Sequence, residues 1–225
     1  MGFSYLTQND AFNTSFFYNT TATGHRISAA RAPENTLAAL QEAINGDAKY
    51  IEIDVQETKD GELIIIHDSN FKRTTGVYKN TWEVNYDEVK TYDGSYFSSD
   101  FSGEKIPTLQ EVIDSAKGKV ELVIEIKLNG HEKSDVTKRV LDLIKANKIE
   151  HQSIIASMDK DVLKRVKELD SSIETCYLTA VAYGNLYNWD YVDSIITDNP
   201  YLVSDSIFWK KNGYINKVAN ALFNK

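Results

Sequence analysis

Two acidic side chains interrupt a run that otherwise reads as a buried β-strand, Tyr50-Ile51-Glu52-Ile53-Asp54-Val55. Side chains alternate between the two faces of a strand, so Glu52 and Asp54 share one face and the apolar residues line the other. In a closed barrel the acidic face points inward, where an unpaired carboxylate is costly. Mg²⁺ or Ca²⁺ would offset that cost, since both take oxygen ligands from small sets of Asp and Glu. The stretch alone also fits an edge strand with its acidic face in water.

A second strand-like run, residues 121–128, repeats this arrangement. Glu125 and Lys127 share one face, while four aliphatic residues occupy the other. An edge strand with its polar face in water explains this run poorly, because apolar residues flank Glu125 and Lys127. It predicts another inward carboxylate with an ammonium beside it, and a purely structural buried Glu–Lys pair remains the alternative.

Histidines stand close to these strands in the sequence. His25, followed by Arg26, lies in a loop between a short first strand and a helix that begins near Asn35 or Thr36. His67 lies near the end of the strand-like run 63–68. Only seven residues, 56–62, separate the strands on either side of Asp60-Gly61, too few for a helical crossover. A two-residue hairpin turn would set Asp54 opposite His67, whereas an extended return would make the strands parallel. Both geometries bring His67 to the carboxylates.

The remaining elements alternate almost regularly between strand and helix, which is typical of a parallel α/β fold. Residues 1–21 predict an irregular lead-in, and residues 69–107 predict an insertion or lid that is rich in aromatic residues and therefore ordered. The other predicted elements are helices near 109–113, 136–145, 161–169 and 214–223 and strands near 153–157, 174–178 and 193–198.

Composition restricts the class of protein. A chain of 225 residues with a net charge of −8 and no Lys/Arg cluster argues against nucleic-acid binding, and its length suits one barrel domain over 1–225. Cys176 is the only cysteine, which excludes an intrachain disulfide and predicts a small core residue. No basic leader or 18-residue apolar run occurs, so we expect a cytoplasmic protein as written, with the extracellular part of a membrane-anchored parent as the alternative.

Nine fragments follow one another along residues 25–198: His25-Arg26, Ala32-Pro33-Glu34-Asn35-Thr36, Ile51-Glu52-Ile53-Asp54-Val55, Thr58-Lys59-Asp60-Gly61, His67-Asp68, Arg73-Thr74-Thr75, Ile106-Pro107-Thr108-Leu109, Glu125-Ile126-Lys127 and Ile196-Thr197-Asp198. In this order they resemble the glycerophosphodiester phosphodiesterases, a family of phospholipase-C-like phosphodiesterases. The resemblance implies a TIM-type (β/α)8 barrel with an insertion at 69–107 and a site at the carboxyl ends of the strands.

The resemblance also implies roles for seven residues. Glu52, Asp54 and Glu125 resemble ligands of one divalent cation, Mg²⁺ or Ca²⁺, and His25 and His67 resemble a general acid/base pair. Arg26 and Lys127 resemble phosphate contacts. The implied reaction belongs to lipid and glycerol metabolism: hydrolysis of a small glycerophosphodiester to glycerol 3-phosphate and an alcohol.

Two departures from the family pattern shape the expectations. Ile27 follows His25-Arg26 where the family usually has glycine. Only about 15 residues lie between the strands near 174–178 and 193–198, whereas a βαβ unit needs roughly 30. This spacing predicts a barrel that lacks one strand–helix unit before its last strand, with an edge covered by another segment or by a second subunit. A non-catalytic metal- or phosphodiester-binding descendant and a related phospholipase-like diesterase remain alternatives.

Overall fold

Seven strands form one sheet in the computed structural model, which describes residues 23–24, 32–95, 99–179 and 191–197. The order of the strands is β1-β2-β4-β5-β6-β7, all neighbours along this path are parallel, and β3 pairs with β2 in the antiparallel sense. The strands are β1 Thr23–Gly24, β2 Tyr50–Glu57, β3 Leu63–Ile65, β4 Glu121–Ile126, β5 Ser153–Ser157, β6 Glu174–Thr179 and β7 Ser194–Thr197.

Helices follow the strands, and several begin at a residue whose side chain caps the first turn. Thr36 accepts a hydrogen bond from the backbone of Ala39, and Thr108 forms a capping box with Glu111. The helix starts expected near Thr36 and after Thr108 are therefore confirmed. The helices are α1 Leu37–Asn45, α2 Lys72–Thr75, α3 Tyr86–Val89, α4 Leu109–Ala116, α5 Val136–Asn147 and α6 Lys160–Leu169, with 3-10 turns at Thr81–Glu83, Ser99–Phe101 and Glu150–Gln152.

The two faces of the sheet differ in character, as strand alternation predicts. One face packs against the helices through fully buried aliphatic residues such as Ile53 and Ile124. Each such side chain contributes about 1.5–3 kcal/mol relative to an exposed one. The opposite face carries a smaller cluster that includes Val123, Ala156 and Cys176, which is fully buried as predicted. Glu52, Asp54 and Glu125 belong to this second face by strand parity.

The hairpin between β2 and β3 decides between the two predicted geometries. The strands are antiparallel, and the connecting loop has five residues, closed by a hydrogen bond of 2.9 Å from Thr58 N to Glu62 O. Ile66 N donates to Asp54 O at 2.9 Å, so Asp54 faces Ile66. The expectation that Asp54 lies opposite His67 is thus wrong by one residue, because a longer loop shifts the register.

The described part of the insertion is ordered around its own core. Phe71 and Tyr92 pack edge to face with centroids 5.1 Å apart, within a cluster that also includes Ile64 and Ile66 of the adjoining hairpin. Trp82 stacks on His131 of the β4–α5 loop at 4.3 Å. These aromatic residues therefore pack the described part of the insertion against the β2–β3 hairpin and the β4–α5 loop.

The sheet stays open within the described residues, and it agrees with a partial barrel. β6 and β7 pair directly, from Cys176 with Ser194 to Thr179 with Thr197. The lead-in at 1–21, the connection at 180–190 and the helix near 214–223 lie outside the described residues. Among the helices that the structure describes, none combines the length and apolar character that a membrane span requires.

Candidate functional site

Three carboxylates meet on the inner face of the sheet. The parallel register sets Asp54 of β2 directly beside Glu125 of β4, and Glu52 precedes Asp54 on the same face. One oxygen of each side chain lies within 4.8 Å of the others, and all three residues are buried. The cluster is therefore a candidate cation site built from two neighbouring strands.

Charge balance supports this interpretation. Lys127 Nζ lies 2.8 Å from Asp54 Oδ1 and 3.6 Å from Glu125 Oε2. Burial would raise the pKa of Asp54, but the charges of Lys127 and His67 hold it below its usual value. Burial raises the pKa of Glu125 to about 8, Lys127 opposes this rise, and the Asp54 charge adds to it. A group of hard oxygen donors in which one carboxylate cannot easily ionise fits a divalent cation.

The raised pKa of Glu125 predicts a pH dependence of stability in chelator-treated protein. Between pH 4.5 and about 8 the unfolded carboxyl has lost its proton while the folded one retains it, so the free energy of unfolding falls as pH rises. Urea denaturation gives the free energy of unfolding at pH 5 and at pH 8. We expect this free energy to fall between the two pH values by on the order of a few kcal/mol more in the wild type than in Glu125→Gln. Glu121→Gln, a half-buried position at the other end of β4, is the matched control and should keep the wild-type difference. An equal pH dependence in Glu125→Gln would contradict the prediction.

Asn35 belongs to one of the fragments that resemble the family, and the structure places it beside the cluster of three carboxylates. Its Nδ2 donates to Asp54 Oδ2 at 2.9 Å, while its buried Oδ1 has no hydrogen-bond partner among the residues that the structure describes. The residue adopts φ 57°, a left-handed conformation that asparagine tolerates better than most residues. Glu34 precedes the cap Thr36 and therefore lies outside α1. Because the backbone of Asn35 is left-handed, α1 begins only after this residue.

Replacing Asn35 separates its backbone role from its side-chain role. Asn35→Gly keeps the left-handed backbone but removes the amide that orients Asp54, so metal affinity should fall about 10–100-fold. Asn35→Ala should lose the same affinity and, in addition, about 1–2 kcal/mol of stability from the backbone strain. Calorimetric titration with Mg²⁺ and Ca²⁺, together with thermal denaturation, measures both effects. Wild-type affinity in Asn35→Gly would contradict the positioning of Asp54 by this amide.

His67 is held close to the carboxylates by contacts on its ring and on its backbone. Its Nδ1 lies 2.8 Å from Asp68 Oδ1. Burial would raise the pKa of Asp68, but hydrogen bonds from Arg73 and His67 lower it to about 2. An ionised carboxylate can only accept, so Nδ1 carries the hydrogen and Nε2 is the basic nitrogen of the neutral ring.

The side chain of Gln56 contacts the backbone of the segment that carries His67. Its Nε2 lies 2.9, 3.0 and 2.8 Å from the carbonyl oxygens of Ile66, His67 and Asp68, respectively. Asn129 Nδ2 donates to Gln56 Oε1 at 2.8 Å and orients the amide. Gln56 continues the inner face of β2 after Asp54, so strand parity could have indicated it, although its partners could not be read from the sequence.

The structure brings together five of the seven residues predicted from the resemblance. Glu52, Asp54, Glu125 and Lys127 lie on β2 and at the end of β4, and His67 joins them from the segment after β3, where Lys127 Nζ lies 3.3 Å from its carbonyl oxygen. His25 and Arg26, which follow β1 in the sequence, lie outside the described residues. Sequence reasoning missed Asn35, Gln56, Asp68 and Arg73.

A parallel α/β sheet with buried carboxylates on one face and a histidine close to them is typical of barrel enzymes that use a metal ion. The comparisons with known proteins identify which ones. Residues 25–199 match the Glycerophosphoryl diester phosphodiesterase family, and the chain belongs to this family of hydrolases. The resemblance predicted from the sequence is thus confirmed.

Relatives and solved structures agree with this assignment. YhdW of Bacillus subtilis is 35% identical over 164 residues, which cover 72% of this chain and 67% of the relative. A glycerophosphodiester phosphodiesterase of Caldanaerobacter subterraneus is 38% identical over 147 residues, covering 64% of this chain and 60% of the relative. A phosphodiesterase of Oleispira antarctica, solved with the product sn-glycerol-3-phosphate, is similar with a TM-score of 0.68 and 25% identity, covering 79% of this chain and 74% of that one. The matched region thus spans about two thirds or less of the two bacterial relatives.

Proposed function

We propose that this chain hydrolyses small glycerophosphodiesters to glycerol 3-phosphate and an alcohol. The single observation that carries the proposal is the buried group of Glu52, Asp54 and Glu125, whose oxygens lie within 4.8 Å of one another. Lys127 and His67 border this group. The product found with the Oleispira antarctica phosphodiesterase supports the same substrate class.

Glu52, Asp54 and Glu125 would hold one divalent cation, Mg²⁺ or Ca²⁺. Such an ion, when bound, neutralises negative charge that develops on a phosphodiester oxygen. Lys127 adds a fixed positive charge at the same place, and its Nζ lies 2.8 Å from Asp54 Oδ1 and 3.6 Å from Glu125 Oε2, which orient it. We propose that Arg26, next to His25 in the sequence, supplies a further phosphate contact.

Proton transfer is proposed for His67 and His25. One imidazole takes the proton from the attacking hydroxyl, either of water or of the glycerol itself, and the other gives a proton to the leaving alcohol oxygen. If the glycerol hydroxyl attacks, a cyclic phosphate forms first, and water then opens it to glycerol 3-phosphate. Nε2 is the nitrogen of His67 that exchanges the proton, because Nδ1 is committed to Asp68. This division of roles needs two histidines on opposite sides of the phosphorus.

Release of glycerol 3-phosphate tests the proposal. Glycerophosphocholine and glycerophosphoethanolamine are incubated with the protein in Mg²⁺, in Ca²⁺ or in chelator, and His25→Ala is assayed in parallel. Release that needs the metal and is lost in His25→Ala is the expected result. A folded protein that binds metal but releases no product from either substrate would reject hydrolysis of both and favour a non-catalytic binding domain.

Two exposed apolar side chains favour a second candidate, a diesterase that acts on lysophospholipids. Leu128 and Met158 follow the carboxyl ends of the neighbouring strands β4 and β5, and their exposed fractions are 43% and 62%. An acyl chain would find apolar contacts at this edge. A lysophosphatidylcholine arm in the same assay separates the candidates: faster turnover of the acylated substrate, lowered by Met158→Ser, would favour the lipid.

A further inference from the structure

Arg73 of helix α2 uses all three guanidinium nitrogens in charged hydrogen bonds. Nη1 and Nη2 donate to Glu34 Oε2 and Oε1, each at 2.7 Å. Nε donates to Asp68 Oδ2 at 2.7 Å, and Nη2 also donates to Asp68 Oδ1 at 3.1 Å. A planar fork that binds two carboxylates in this way is a geometry that only arginine provides.

Each carboxylate connects Arg73 to a different part of the candidate site. Asp68 accepts from Nδ1 of His67, the proposed proton-transfer group. Glu34 directly precedes Asn35, whose amide donates to Asp54, a proposed metal ligand. Arg73 therefore connects the segment after β3, which carries His67, to the loop before α1. That loop carries Asn35, which donates to Asp54.

We propose that Arg73 is a positioning residue that fixes the His67 ring relative to the carboxylate cluster. The inference rests on the proposed function and extends it to a residue that does not itself touch the substrate. A displacement of about 1 Å between a reacting group and its partner can lower turnover about 100-fold. A guanidinium that holds both segments prevents such a displacement.

The alternative is that Arg73 only fastens two surface segments together. Its side chain is 45% exposed, and ion pairs with such exposure contribute little to the free energy of unfolding. The two roles predict different effects of substitution. If Arg73 has only a structural role, its loss changes stability and leaves the reaction intact. If Arg73 is a positioning residue, its loss changes kcat and the tautomer of the His67 ring.

Arg165 provides a matched control. It lies on α6, its side chain is 41% exposed, and its Nε and Nη2 both donate to Asp135 Oδ2, at 3.0 and 2.9 Å. This pair joins α5 and α6 through an exposed contact of the same kind, and neither residue contacts the site residues described above. Substitutions at Arg165 therefore reproduce the loss of an exposed arginine–carboxylate contact without changing the segment that carries His67.

The first experiment compares Arg73→Lys and Arg73→Ala with the same substitutions at Arg165. Arg73→Lys should lower kcat for glycerophosphocholine about 10–100-fold with KM changed by less than about threefold, because a lysine cannot form the fork. Millimolar guanidinium chloride should restore part of kcat in Arg73→Ala. Both Arg165 variants should keep wild-type kcat, and all four variants should show similar melting temperatures. A kcat within about twofold of wild type in Arg73→Lys overturns the proposal.

The second experiment does not depend on turnover. Nitrogen-15 spectra of the histidine rings at pH 8.5 report which ring nitrogen carries the hydrogen, and His67→Gln assigns the signal. We expect the Nδ1–H form in wild type and in Arg165→Ala, and a mixture of tautomers in Arg73→Ala. An unchanged His67 tautomer in Arg73→Ala overturns the proposal. Wild-type protein that releases no product would instead reject the proposed function, and the spectra would still decide the role of Arg73.

Discussion

Glu52→Gln is expected to lower kcat/KM for glycerophosphodiesters by at least about 10³-fold, since loss of a proposed metal ligand would remove several kcal/mol of charge stabilisation. The amide has nearly the same shape as the carboxylate, so the buried strand should keep its packing. The change also removes one of three clustered carboxyl groups, and with it a negative charge beside Asp54. Metal-free Glu52→Gln should therefore be at least as stable as the wild type, while its affinity for Mg²⁺ and Ca²⁺ falls. Kinetics, calorimetric metal titration and chemical denaturation measure the three effects.

Glu57→Gln is the matched control for this experiment. Glu57 lies on the same strand, has the same exposed fraction of 5%, and points by parity to the opposite face. Its carboxylate accepts from Lys133 N at 2.8 Å, from Arg139 Nη1 at 2.9 Å and from Ser134 Oγ. Glu57→Gln should therefore lose about 1–3 kcal/mol of stability but keep its activity per folded molecule. Equal activity losses in the two variants would show that Glu52 has only a structural role.

His67→Gln is expected to lower kcat about 10²–10⁴-fold, the contribution typical of a positioned acid or base. Metal affinity should change much less, because His67 is not among the clustered carboxylates. Single-turnover kinetics at saturating metal measures the chemical step, and calorimetry measures the binding. The combination of lost turnover with retained metal binding distinguishes a proton-transfer residue from a ligand.

His151→Gln controls for the loss of an imidazole elsewhere in the chain. His151 is exposed in the 3-10 turn Glu150–Gln152. This turn immediately precedes the amino end of β5, whereas His67 and Lys127 follow the carboxyl ends of β3 and β4. Its replacement should leave kcat, KM and stability at wild-type values. A His67→Gln variant that keeps more than a tenth of wild-type kcat would remove His67 from the proposed mechanism.

Local patterns in the sequence determined the elements and their faces. Strand alternation placed Glu52 and Asp54 on one face, and a possible cap at Asn35 or Thr36 marked where the first helix begins. Such features depend on residues that are close in the chain, so they can be read without a structure. The fragments that resemble the family likewise identified the candidate ligands from residue type and order.

Only the tertiary structure decided which residues meet. Asp54 and Glu125 become neighbours through the β2–β4 register, Lys127 pairs with both, and Arg73 joins Glu34 to Asp68 across 39 and 5 residues of chain. A five-residue loop shifted the hairpin by one position, and the left-handed Asn35 delayed α1 and aimed its amide at Asp54. Strand registers and side-chain forks depend on packing between distant segments. The sequence by itself therefore determined the chemistry that is available, and the fold determined its geometry.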